Sequence, residues 1–166
     1  MKTKNIIRAF FLSVIFLLTA LSSIFAQDKK ETIKNMVESG QYIFKARYVS
    51  PQTGLSRALT SDYDLTVSKS AVVSYLPYFG RAYTAPIDPT QGGIKFNSAK
   101  FEYTTKAAKK EGWDIAIVPK DVSDVQKMYL HISSNGNATL QVISTNRQPI
   151  SFNGYIEENN QPKKAF

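Results

Sequence analysis

The sequence predicts a mainly β domain, an antiparallel meander of eight or nine strands forming a curved sheet or small barrel, with one short N-terminal helix. Three observations carry this. Apolar and polar residues alternate in run after run beyond Gly40, compact turn-forming clusters separate the runs, and a single stretch before Gly40 has helical spacing.

Taken from the start, the first eight residues hold Lys2, Lys4 and Arg8 and no acid, and an apolar run follows from Ala9 to Ala20. This is the layout of a secretory signal, too short to span a bilayer, with cleavage expected after Ala26. Residues 1–26 are read as the signal peptide and 27–166 as one β domain, divided into a helical segment 27–40, a meander 41–158 and a polar tail 159–166. The expectation is an exported protein, periplasmic or at the cell surface, with no transmembrane span once the signal is removed. The chain has no cysteine, so a lipoprotein, a disulfide framework and cysteine-based metal sites are excluded. Without the signal, 18 Lys and Arg stand against 13 Asp and Glu, a net +5. These charges are scattered apart from Lys106, Lys109 and Lys110, with Lys163 and Lys164 in the tail, so no nucleic-acid groove is expected.

Ile33, Met36 and Val37 are three and four apart, and Gly40 is placed to stop a helix there. The strand series opens with Tyr42, Phe44, Ala46 and Tyr48 on one face, and Lys45 and Arg47 on the other. It continues through Tyr63, Leu65 and Val67, then Val73 and Tyr75, Ile94 and Phe96, Phe101 and Tyr103, and Trp113, Ile115 and Ile117. Met128, Leu130 and Ile132, Leu140 and Val142, and Ile150, Phe152 and Ile156 complete it. Trp113 is expected in the core because it shares a face with Ile115 and Ile117. Asn135-Gly136 reads as a type I′ hairpin turn. Two stretches break the rhythm: a polar loop from Pro51 to Thr60, and Pro77 to Gly93, rich in proline and glycine.

Candidate chemistry is sparse. His131 is the only histidine, and its alternation with Leu130 and Ile132 turns it away from the apolar face, so a Ser/His/Asp site is not expected. Asp62 and Asp64 share a strand face and are candidates for paired carboxylates or a hard-cation site, although alternating acids also suit a wet strand face. Asp121 and Asp124 read as turn-forming or capping residues. A glycosidase pair drawn from Glu102, Glu111 and Asp114 has no pattern behind it. No catalytic residue, metal site or cofactor is assigned. The densest feature is the run from Tyr75 to Tyr83, in which Tyr75, Tyr78, Phe79 and Tyr83 surround Arg81 on a turn shaped by Pro77 and Gly80. These five residues are the candidate ligand-binding set, with Arg81 placed to meet a carboxylate, phosphate or sugar hydroxyl. The same aromatics could instead plug one end of a barrel.

The run LPYFGRAYTAPIDPTQGGIKFNSAKFEY, from Leu76 to Tyr103, together with GNATLQVISTNRQPISFNGYIEE near the C-terminus, resembles family 4251 of domains of unknown function, found in exported proteins of Bacteroidetes. The resemblance spans nearly all of the chain beyond the signal. It implies an exported β-rich domain and carries no activity or site residue across. The expected function is a non-enzymatic binding module of the cell envelope, with a small apolar or amphipathic ligand, a glycan or an envelope protein as its partner. The alternatives are a structural accessory protein with a filled barrel, and a carboxylate-based hydrolase.

Overall fold

A computed structural model describes residues 29–83 and 92–159. The predicted signal peptide, the tail from residue 160 and residues 84–91 lie outside the described residues. The chain divides into two units, 1–32 and 33–166, and the second carries the sheet.

That sheet contains β1 (Tyr42–Pro51), β2 (Arg57–Val67), β3 (Val72–Leu76), β4 (Ile94–Ser98), β5 (Phe101–Ala107), β6 (Gly112–Pro119), β7 (Val125–Ser133), β8 (Asn137–Ser144) and β9 (Ile150–Glu158). Their spatial order is β4-β3-β2-β1-β9-β8-β7-β6-β5, with antiparallel pairing throughout. The result is a nearly closed barrel in which the first and last strands pair. The seam falls between β4 and β5, which are adjacent in sequence but do not form a ladder. Asp121 ties the turn between them: its carboxylate accepts from the Ser98 hydroxyl and from the amides of Ala99 and Lys100. The Ser98 hydrogen bond, with those two amides, holds this carboxyl below its ordinary pKa.

Alternation puts one side chain in two into the barrel, and the interior is filled by large groups. Tyr42, Phe44, Leu65, Leu76, Ile94, Ile117, Met128, Ile132, Leu140 and Phe152 are all inaccessible to solvent. They belong to a single apolar cluster, so burial of hydrocarbon in a cysteine-free chain is the main stabilising term. A helix over 29–39 adds Ile33, Met36 and Val37 to that cluster. Gly40, at φ +62°, ends it as the sequence predicts, with the amides of Gly40 and Gln41 donating to the carbonyls of Val37 and Met36.

A short polar relay enters this core. Because the Tyr103 hydroxyl donates to the Val37 carbonyl at 3.2 Å, the Tyr42 hydroxyl, 3.2 Å away, is the donor to Tyr103. Burial, reinforced by Tyr103, pushes the Tyr42 phenol well above its ordinary 10.0. A folded-state pKa above the unfolded one stabilises the fold fully below about pH 10 and loses that stabilisation as the pH rises beyond it. Tyr42→Phe should therefore flatten the fall in denaturant midpoint above pH 10.0, which parallel urea titrations at neutral and alkaline pH would measure.

Four expectations need correction. The loop expected from Pro51 to Thr60 is shorter, because β2 already begins at Arg57. In β3 the buried face is Val72, Ser74 and Leu76, so Val73 and Tyr75 point outward. The Asn135-Gly136 turn is not type I′, since among the described residues no non-glycine residue, Asn135 included, has positive φ. The Gly136 amide donates to the Ser133 carbonyl, and Gly136 alone, at φ +86°, takes the left-handed position of a three-residue loop. Trp113 is half-buried against the core and not enclosed by it, while Ile115 and Ile117 on the same face are buried as expected.

The largest departure is in β1. Tyr42, Phe44 and Ala46 are buried, but Val49 replaces Tyr48 as the next inward residue, and Tyr48 is 53% exposed. Arg47 is an extra residue at this point. On the β9 side, Ala46 pairs with Gly154 and Tyr48 with Asn153, so two steps along β1 match one along β9. On the β2 side the same two steps span Tyr63 to Ala58, five steps. A bulge of this kind bends the strand and reverses which residues face inward beyond it.

Candidate functional site

The bulge at Arg47 makes a cleft. Where β2 bows away from β1 between Tyr63 and Ala58, an open depression of about 340 Å³ forms between the two strands. Its walls include Lys45, Arg47, Tyr48, Asp62, Tyr63 and Tyr155, and its most apolar patch is only Ala46, Ala58 and Leu59.

The charges in the wall are held by contacts. Lys45 donates to Asp64 at 3.0 Å and lies 3.9 Å from Glu157. Desolvation works to release the Lys45 proton, but the Asp64 hydrogen bond and the charges of Asp64, Glu157 and Asp62 outweigh it, leaving the net pKa raised. The Arg47 guanidinium lies over the Tyr155 ring, 4.9 Å from its centroid. Tyr63 stacks on Tyr75 at 5.7 Å between centroids, and the Lys95 ammonium is 4.8 Å from the centre of the Tyr75 ring. Aromatic faces and charged tips are thus fixed against one another before a ligand arrives.

The five residues singled out in the sequence do not form one constellation. Tyr75 is on β3, beside the cleft through its stack on Tyr63. Phe79 is 45% exposed and carries the Arg57 guanidinium over its ring at 5.7 Å. The Tyr78 hydroxyl donates to the carbonyls of Arg81 and Gln148, tying the segment to the β8–β9 connection. Arg81 takes part through its backbone, its carbonyl accepting from the Gln148 amide, while its side chain is exposed. Tyr83 is 67% exposed, and its amide donates to the Asn146 carbonyl next to a bridge between Ala82 and Arg147.

The cation that organises this end of the barrel is Arg147, which no pattern in the sequence singles out. Its guanidinium donates to the Gly93 carbonyl at 2.9 Å, pairs with Asp124 and lies 5.1 Å from the centre of the Tyr78 ring. Three segments far apart in sequence meet on one side chain. Tyr78 is accordingly a tie in the fold.

The other candidate groups each have a local partner. His131 Nδ1 lies 2.7 Å from Asp114, Glu102 binds Lys120 at 2.9 Å, and Glu111 accepts from the Ser134 hydroxyl. The carboxylates considered for a glycosidase therefore engage three different partners. Among the described residues no three His, Asp or Glu side chains gather as metal ligands. Asp62 and Asp64 do share a region, but Lys45 occupies the space a cation would take beside Asp64.

Comparison with known proteins places the fold. The family model described as Domain of unknown function (DUF4251) matches residues 25–156. The chain is similar to the crystal structure of a DUF4251 family protein from Bacteroides eggerthii, with TM-score 0.59, 14% identity, and coverage of 81% of this chain and 90% of that one. No curated protein matches. No helix among the described residues is long and apolar enough to cross a membrane.

Proposed function

The chain belongs to the DUF4251 family of domains of unknown function, and we propose that it is a non-enzymatic binding module, exported to the cell envelope, that holds its ligand in the cleft between β1 and β2. The observation that carries this reading is the bulge at Arg47. It interrupts an otherwise continuous ladder, exposes Tyr48 and opens about 340 Å³ of space lined by fixed aromatic and charged groups. Large side chains occupy the barrel interior, and a small apolar ligand would have to displace them, so the interior itself offers no site. The filled interior also favours the structural-accessory reading, and one experiment separates the two.

Arg47→Ala and Arg81→Ala both remove an exposed cation, so each should change stability by no more than about 0.5 kcal/mol. Native mass spectra of wild type and both variants, purified from the host of origin, should show an added mass in wild type and Arg81→Ala that Arg47→Ala lacks. Loss in Arg81→Ala alone would move the site to the 75–83 segment, and bare protein in all three would favour the accessory role. Export has its own test: the N-terminus of envelope-fractionated protein should read Gln27, and an intact Met1 would refute it.

A further inference from the structure

We infer that the ligand class of the β1–β2 cleft is a neutral carbohydrate, one or two sugar units of a longer chain seated between Tyr48, Tyr63 and Tyr155 with Arg47 and Asp62 on its hydroxyls. The inference rests on the cleft being a binding site and goes further by naming the chemistry that fits it.

Volume sets the first bound. About 340 Å³ is near the low end of the roughly 300–1,000 Å³ common for ligand sites, and the cleft opens to solvent, so a compact unit fits while the remainder of a polymer can run outward. Polarity sets the second. Small-molecule pockets are mostly apolar, whereas Lys45, Arg47, Thr60, Ser61 and Asp62 line this one, and Ala46, Ala58 and Leu59 are too little hydrocarbon to hold a lipid tail. Charge sets the third. Lys45 is engaged by Asp64 and Glu157, which leaves one guanidinium, Arg47, and one carboxylate, Asp62, as the other charges of the wall. A phosphate or polyanionic ligand would find Lys45 already engaged by Asp64 and Glu157 and the Asp62 carboxylate in the wall beside it, and is disfavoured.

Backbone geometry argues against an extended peptide. Strand addition needs an open sheet edge, but the β1–β2 ladder resumes on both sides of the cleft, at Ala46↔Tyr63 and Tyr48↔Ala58. What remains is a ligand with many hydroxyls and flat C–H faces. Rings held at the wall offer surfaces for such faces, and one donor fork and one acceptor pair suit neighbouring hydroxyls. Because Tyr155 is held under Arg47 and Tyr63 against Tyr75, little side-chain entropy is lost on binding.

The test is affinity electrophoresis in native gels containing glucan, mannan, xylan or galactan, with polygalacturonate and an anilinonaphthalene sulfonate titration as contrasting probes. At least one neutral polysaccharide should retard the wild type, and its own oligosaccharide should release it. Arg47→Ala and Asp62→Asn should each weaken the retardation about tenfold or more, the effect of losing a charged hydrogen bond, while Gln141→Ala on the outer face of β8 leaves it unchanged. If only polygalacturonate or the apolar probe binds, and Arg47→Ala abolishes that binding, the cleft reading stands and the neutral-carbohydrate assignment fails. If no probe binds, the neutral-carbohydrate assignment fails, and the cleft reading fails with it when the host-purified protein also carries no added mass.

Discussion

Gly154→Ala should destabilise the protein by about 3 kcal/mol or more, the upper range for a substitution that overfills a packed site. Gly154 is opposite Ala46 where β1 bulges, and a Cβ placed on it would lie 1.8 Å from the Lys45 carbonyl oxygen. That oxygen is backbone held in the β1 ladders, so no rotamer change relieves the clash and β1 or β9 must move. Asn153→Ala, one residue away and exposed, should cost under about 1 kcal/mol, chiefly the hydrogen bond from Thr139. Urea midpoints at constant slope would measure both. A Gly154→Ala midpoint equal to that of the wild type would mean that β1 and β9 are not in the register described.

Arg147→Ala should cost about 2–4 kcal/mol, because one truncation removes a donor from the Gly93 carbonyl, a partner from Asp124 and the cation from the face of Tyr78. The Arg147 side chain is only 12% exposed, so water replaces these interactions poorly. Arg147→Lys should recover only part of the loss, since an ammonium cannot reproduce the planar fork that meets a carbonyl and a carboxylate together. Thermal unfolding of the two variants beside Arg81→Ala would show the contrast. Equal losses at positions 147 and 81 would overturn the assignment of the organising role to Arg147.

The barrel was legible because alternation over strands of five to eleven residues leaves little ambiguity about which positions face inward. Leu130 and Ile132 on β7, and Leu140 and Val142 on β8, are buried as their spacing predicts. Pairing of β1 with β9 was beyond a sequence reading, since closure depends on the twist accumulated around the whole sheet. The cleft was hidden for a more local reason. In the run Tyr42 to Pro51 both Tyr48 and Val49 can serve as the inward residue, so the alternation fits equally well with or without a bulge.

One signal did exist, in the strand opposite. Gly154 interrupts the alternation of Phe152 and Ile156, and a glycine inside a strand marks a bulge or a close backbone approach. Arg147 had no such signal. Its partners Gly93, Asp124 and Tyr78 are 54, 23 and 69 residues distant, and only the closed barrel brings them together. Aromatic density drew attention to residues 75–83, but density alone does not distinguish a ring that holds the fold, as Tyr78 does, from one beside a cleft, as Tyr75 is.

The most direct test is backbone hydrogen exchange on the protein purified from its host, before and after the retained ligand is stripped. With ligand present, slowed exchange is expected at 45–48, 58–63 and around Tyr155, with the 75–83 segment changed only near Tyr75. Protection confined to 77–83, or spread evenly over the inward-facing strands, would contradict the assignment of the binding site to the cleft at Arg47.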